Sequence, residues 1–168
     1  MPQNKQTKPE TPVKRTRRVQ ERAEITRAKL IKAGTVMFSE RGFDGVSVRD
    51  LENAAGVKRN LLAYHFDDKD TLWKRVTNDI YGLMKTEFDQ RLLISQEMSG
   101  RESLAFVVRF YVYFHARHPE LSRLVAQEAT QHSWRTQCMI GHHIRPATVA
   151  MEKLVKEIRG LDRDAFIH

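Results

Sequence analysis

The sequence predicts an all-α fold. Three observations carry that expectation. Apolar residues recur at helical spacing after residue 19, and cap residues stand at the heads of these stretches. The one long apolar run rich in β-branched residues has no second strand candidate to pair with. The expected organisation is a disordered basic arm over residues 1–19, a three-helix domain over 20–76 and a helical second domain over 77–168.

The arm carries Pro2, Pro9 and Pro12, shows no apolar periodicity and ends in the basic cluster Lys14, Arg15, Arg17 and Arg18. Regular structure is expected from Val19 or Gln20. Leu30, Ala33, Gly34, Met37 and Phe38 then form one helical face, and Gly42 stops that helix. Ser47 opens a second, short helix through a capping box with Asp50, and Gly56 ends it in a left-handed turn. A third helix is expected from about Lys58 to His65, with Leu61, Leu62 and Phe66 toward the core. Asp68 caps a fourth through Thr71, carried on by Leu72, Val76, Ile80, Leu83 or Met84, and Phe88. After Gly100, the stretch from Leu104 to Phe114 reads as a buried central helix. His118-Pro119 ends it and begins the next, and two helices follow at about Glu120–Gln131 and Trp134–Arg159.

Composition bounds the function. The 168 residues carry a net charge of +8. Residues 1–76 hold 17 Lys and Arg against 10 Asp and Glu, and residues 77–168 hold 12 against 11. A polyanion is the natural partner for the first half, because neutralising phosphates releases counterions. No apolar run approaches the roughly 18 residues of a membrane span, so no membrane partner is expected. The single cysteine, Cys138, excludes an internal disulfide and a multi-cysteine zinc site, and a cytoplasmic setting is expected. There is no Gly-rich phosphate loop and no G-x-S-x-G elbow, so no catalytic residue and no cofactor is expected. Cys138 and His142 stand four apart on one helix face, a spacing that brings a thiol and an imidazole together.

Ser47–Phe66 reads SVRDLENAAGVKRNLLAYHF: helix, glycine-containing turn, helix. That is a helix-turn-helix pattern, whose second helix offers its leading residues to the major groove. Glu40-Arg41-Gly42-Phe43, Ser47-Val48-Arg49-Asp50-Leu51, Ala54-Ala55-Gly56-Val57, Tyr64-His65-Phe66 and Lys69-Asp70 with Leu72 together resemble the DNA-binding domain of the TetR family, over about residues 22–76. The resemblance implies a repressor that binds a near-palindromic double-stranded DNA operator as a homodimer and is released by a small, largely apolar effector. It implies base-edge contacts from Lys58, Arg59, Asn60 and Leu61. Arg59 to guanine and Asn60 to adenine would each be worth about 1–3 kcal/mol of discrimination. It implies phosphate contacts from Ser47, Arg49, Tyr64, His65 and Lys69, near two helix N-termini. Two positions depart from the family pattern. Glu52 stands where the family usually has alanine, and is expected to turn outward or pair with Lys58 or Arg59. Ala63 replaces a usual aromatic, which removes one contact.

For the second domain, the resemblance implies an effector cavity, with Met84, Phe88, Phe110, Phe114, Trp134, Met139 and His142 as candidate lining. His115 and His118, three apart, invite a metal reading, but no carboxylate completes the set, so no metal site is expected. Asp162–His168 reads as a capped helix start. Family members usually continue into two further helices that build the dimer surface. The chain as given is therefore expected to lack that surface and to bind operator DNA weakly. The alternative to a DNA-binding regulator is a helical adaptor whose basic arm binds acidic partners. Sequence-dependent footprinting separates the two.

Overall fold

The computed structural model describes residues 12–94, 100–149 and 152, and among them the regular structure is helical throughout. Seven α-helices follow in order: α1 Pro12–Arg41, α2 Val48–Ala54, α3 Leu61–Phe66, α4 Lys69–Ile94, α5 Gly100–Arg117, α6 Pro119–Ala129 and α7 Trp134–Met139. A π-helical turn, Ile140–Ile144, continues α7, and residues 145–149 are helical again.

The start of α1 corrects the expected arm. Residues 12–19 belong to the helix, while residues 1–11 lie outside the described residues. Pro12 breaks helices only from the interior. As the first helical residue it loses no hydrogen bond, and its fixed φ suits the first turn. The basic residues Arg17 and Arg18 are thus exposed on the first turns of α1.

The first core forms where α1, α2, α3 and α4 meet. Leu30, Phe38, Leu51, Leu62, Leu72, Trp73 and Val76 are all fully or almost fully buried there. Each such side chain contributes about 1.5–3 kcal/mol on leaving water. The caps stand as the sequence predicts. Ser47 and Asp50 close the box at α2, and Thr71 N–H donates to Asp68 Oδ1 at 2.7 Å ahead of α4. Gly56, at φ +62°, takes the left-handed turn between α2 and α3 that a Cβ would strain.

α4 runs unbroken from this domain into the second half. There Val107, Phe110 and Phe114 of α5 and Leu121 and Leu124 of α6 complete the core. α5 departs from the expected fully buried helix: Val108, Val112 and Tyr113 are 54%, 63% and 68% exposed. Its buried residues follow the single stripe of an ordinary amphipathic helix. Apolar composition alone does not say how many neighbours cover a helix. The C-terminal end of the expected last helix and the Asp162–His168 segment lie outside the described residues, apart from residue 152.

Candidate nucleic-acid interface

The reading element is a turn followed by a short helix. α3 begins at Leu61, three residues later than the periodicity predicts. Asn60 adopts a left-handed conformation, φ 65°, which interrupts any helix running through it. Asparagine is among the few side chains that tolerate that region. Lys58, Arg59 and Asn60 therefore form an exposed turn in front of α3, with Leu61 half-buried behind them. Leu61 N–H reaches back to the Lys58 carbonyl at 3.4 Å.

Glu52 corrects a second expectation. It turns neither outward nor toward Lys58 or Arg59. It is 5% exposed, and its Oε1 accepts the Leu62 backbone N–H at 3.1 Å. The first N–H groups of a helix have no partner inside it, and Asn60 supplies no side-chain cap, so a carboxylate at the α2–α3 crossing finds a donor there.

The expected phosphate contacts divide. Arg49 is exposed on α2, and Tyr64 is 78% exposed on α3 with its ring edge-on to His65 at 5.0 Å. Ser47 is committed to its cap: Oγ accepts Asp50 N–H at 3.1 Å and donates to Asp50 Oδ2. The Ser47 hydroxyl, and after it the Ser47 backbone N–H at 3.1 Å, donate to that carboxylate and hold it below its ordinary range. Ser47 thus presents a hydrogen-bonded hydroxyl beside a carboxylate, not the open donor the family pattern implies. His65 is half-buried, and burial, followed by the nearby Arg27 charge, lowers its pKa. The neutral ring is favoured there.

Lys69 also has partners within the chain. Its Nζ donates to the Phe43 carbonyl at 3.1 Å and the Val46 carbonyl at 2.9 Å, and lies 3.9 Å from the Phe43 ring centroid. Two of its three donors tie the head of α4 to the loop between α1 and α2. The residue braces the domain from within. The spacing of Lys69 gave no hint of this, because the partners are backbone oxygens 26 and 23 residues away.

The same loop meets the second half. Arg135, at the head of α7, is buried. Its Nε donates to Glu128 Oε1 at 2.8 Å, and its other end reaches Asp44 Oδ2 at 3.2 Å. Its guanidinium lies 4.3 Å from the Phe43 ring centroid. Trp134 packs edge-on against both Phe43 and Trp73. Trp134 is therefore part of this joint and lines neither cleft described below, contrary to its expected place.

Two adjoining clefts, of about 340 and 430 Å3, lie between α4, α5 and the helical segment from the π-turn onward, with α6 walling the smaller, and share Tyr81, Met84, Tyr111, His143 and Ala147. Of the expected lining, Met84, Phe88 and His142 are present. Phe110 and Phe114 border a separate groove beside Arg91 and Arg109. Met139 is buried in the core. The tyrosines and His143 were missed because their signal, single aromatics on three different segments, exists only after folding. The His143 ring stacks on Tyr81 at 4.2 Å, and its Nε2 is buried with no hydrogen-bond partner among the described residues. Burial, then the neighbouring His142 charge, lowers the His143 pKa. Burial also pushes the Tyr81 hydroxyl up to about 12, with Tyr111 adding to it.

The histidine pair expected on one helix face is divided. His115 Nδ1 meets Ser122 Oγ at 2.7 Å, whereas His118 lies beyond α5, at the head of α6, with Glu120 Oε1 at 3.2 Å. No group of three or more metal-ligating side chains comes together among the described residues. Cys138 Sγ lies 3.7 Å from His142 Nδ1, but that nitrogen is nearer the Cys138 carbonyl, at 3.1 Å. No described helix is long and apolar enough to cross a membrane.

Comparison with known proteins agrees with this geometry. A family model described as bacterial regulatory proteins, tetR family, matches residues 30–76. The probable HTH-type transcriptional regulator YttP of Bacillus subtilis (strain 168) is 30% identical over 106 residues, 62% of this chain and 51% of its own length. The HTH-type transcriptional repressor NicS of Pseudomonas putida is 32% identical over 110 residues, 64% of this chain and 50% of its own. The chain thus spans about half the length of the curated relatives it matches. A crystal structure of an HlyIIR mutant protein superposes with a TM-score of 0.65, covering 80% of this chain and 71% of that one at 20% identity. At that identity the likeness speaks to the fold alone.

Proposed function

Given that this chain carries a TetR-family DNA-binding domain, we propose that it is a sequence-specific transcriptional regulator, a repressor released from its operator by a small, largely apolar effector. The observation that carries the reading is the exposed turn Lys58–Arg59–Asn60, held ahead of α3 on a half-molecule with most of the chain's excess positive charge. In this reading Arg59 and Asn60 meet base edges, and Leu61 backs them with apolar contact. Arg49 and Tyr64 hold the sugar-phosphate backbone. Two copies of the chain related by a twofold axis would read a near-palindrome.

The paired clefts support the effector half of the proposal. Their walls are mostly apolar, with Tyr81, Tyr111 and His143 in both clefts and Asn78, Lys85 and Asp89 adding polar and charged groups to the larger one. An effector must bind one conformation better than the other to act. α4 lines the clefts and begins beside α3, so a shift in its axis moves the reading turn.

Selection of binding sequences from a random DNA pool, using the full chain, tests the reading. A recurrent near-palindrome is expected, with Arg59→Ala relaxing preference at one base per half-site. Retention on polyanions with no preferred sequence would overturn it in favour of the acidic-partner adaptor.

A further inference from the structure

Resting on that DNA-reading role, we propose that Glu52 is a positioning residue that clamps the reading turn at both ends and so sets which bases Lys58, Arg59 and Asn60 meet. One residue makes both closing bonds. Its backbone carbonyl accepts the Val57 N–H at 3.0 Å, and its side-chain Oε1 accepts the Leu62 N–H at 3.1 Å. The residues between those two donors are Lys58, Arg59, Asn60 and Leu61, the four for which the family resemblance implies base-edge contacts.

The turn needs such a clamp. Asn60 sits in a left-handed conformation and makes no side-chain cap bond of its own, and α3 has only six residues. A helix that short has little cooperative stability, so one fixed N–H in its first turn governs much of its order. Glu52 lies on α2, and α2 is anchored through buried Leu51 and the Ser47–Asp50 box. The clamp thus refers the turn to a rigid neighbour. An ionised acceptor strengthens a bond to a backbone N–H. Because Glu52 is buried, it touches no base. It acts through Leu62 and Val57.

The test compares Glu52→Ala, Glu52→Asp and Glu52→Gln in the full chain, with two readouts. The first is hydrogen exchange of the Leu62 amide. The second is the ranking of DNA sequences selected from a random pool. Ala removes the acceptor, Asp withdraws it by one methylene while keeping the charge, and Gln keeps an oxygen in reach. Leu62 exchange is expected to rise roughly tenfold in E52A and E52D, and to stay near wild type in E52Q. Discrimination between the best site and its single-base variants is expected to fall about tenfold in E52A and E52D. Salt-driven binding to random DNA should stay within about twofold, since no phosphate contact is lost. A role in stability alone would lower the melting temperature without reordering the preferred bases. A folded E52A or E52D that keeps the wild-type ranking overturns the proposal, as does E52Q behaving like E52A. If the wild-type chain prefers no sequence, the DNA-reading role fails and takes this use of Glu52 with it. Unchanged Leu62 exchange in E52A or E52D would fail the clamp separately.

Discussion

Truncating Arg135 to alanine strips the joint between the two halves of the guanidinium that Glu128, Asp44 and the Phe43 ring share. The energetic weights of these contacts differ sharply. The Arg135 and Glu128 side chains are 6% and 4% exposed, so R135A leaves a buried carboxylate with Ser133 Oγ, at 3.1 Å, as its remaining side-chain partner. Breaking a buried pair from one side costs about 3–5 kcal/mol. Asp44 is 71% exposed, and a pair of that kind contributes about 0–1 kcal/mol. At about 2–4 °C per kcal/mol for a chain of this size, R135A should lower the melting temperature by roughly 6–20 °C. Asp44→Ala should lower it by less than about 4 °C. The pair as a whole is worth less than its breaking implies. The double variant Arg135→Met with Glu128→Leu should recover most of the loss. Urea and thermal unfolding followed by circular dichroism give these numbers. Both tryptophans of the chain lie at the joint, so their fluorescence reports on it directly. Equal losses in R135A and D44A, or a double variant as unstable as R135A, would refute the reasoning.

Four further outcomes are expected. Lys69→Met should lower the urea midpoint and leave the salt slope of DNA binding unchanged, because the ammonium serves two carbonyls. Arg49→Ala should instead flatten that slope by about one unit with little change in stability. Stability should fall with acidification below about pH 6.5, the ordinary imidazole value. His65 and His143 both have lowered pKa values in the folded chain, so the unfolded chain takes up protons first. Their contribution is present above that pH and lost below it. His65→Gln with His143→Gln should flatten the urea midpoint between about pH 7.5 and pH 5.5. Gly45→Ala should destabilise by more than about 1 kcal/mol, since a Cβ there would stand 2.4 Å from the Arg41 carbonyl oxygen and the loop must move. A midpoint equal to wild type would show that the loop yields freely.

What the chain determines by itself is local. The Ser47–Asp50 box, the left-handed turn at Gly56, the Asp68 cap and the proline step into α6 all rest on residues within four of one another, and each stands where its local chemistry puts it. The recognition pattern from Glu40 to Leu72 was legible because its elements are short local motifs. Tertiary structure decided what depended on distant partners. It turned Glu52 inward to a backbone N–H ten residues on, drew Lys69 to two carbonyls, and moved Trp134 from a cavity wall to a joint with Phe43 and Trp73. It also left Val108, Val112 and Tyr113 of α5 exposed, though the run from Leu104 to Phe114 is apolar on most sides. Capping and periodicity are short-range forces that a run of letters carries in full. Burial and pairing depend on which surfaces arrive together, and no single segment encodes that.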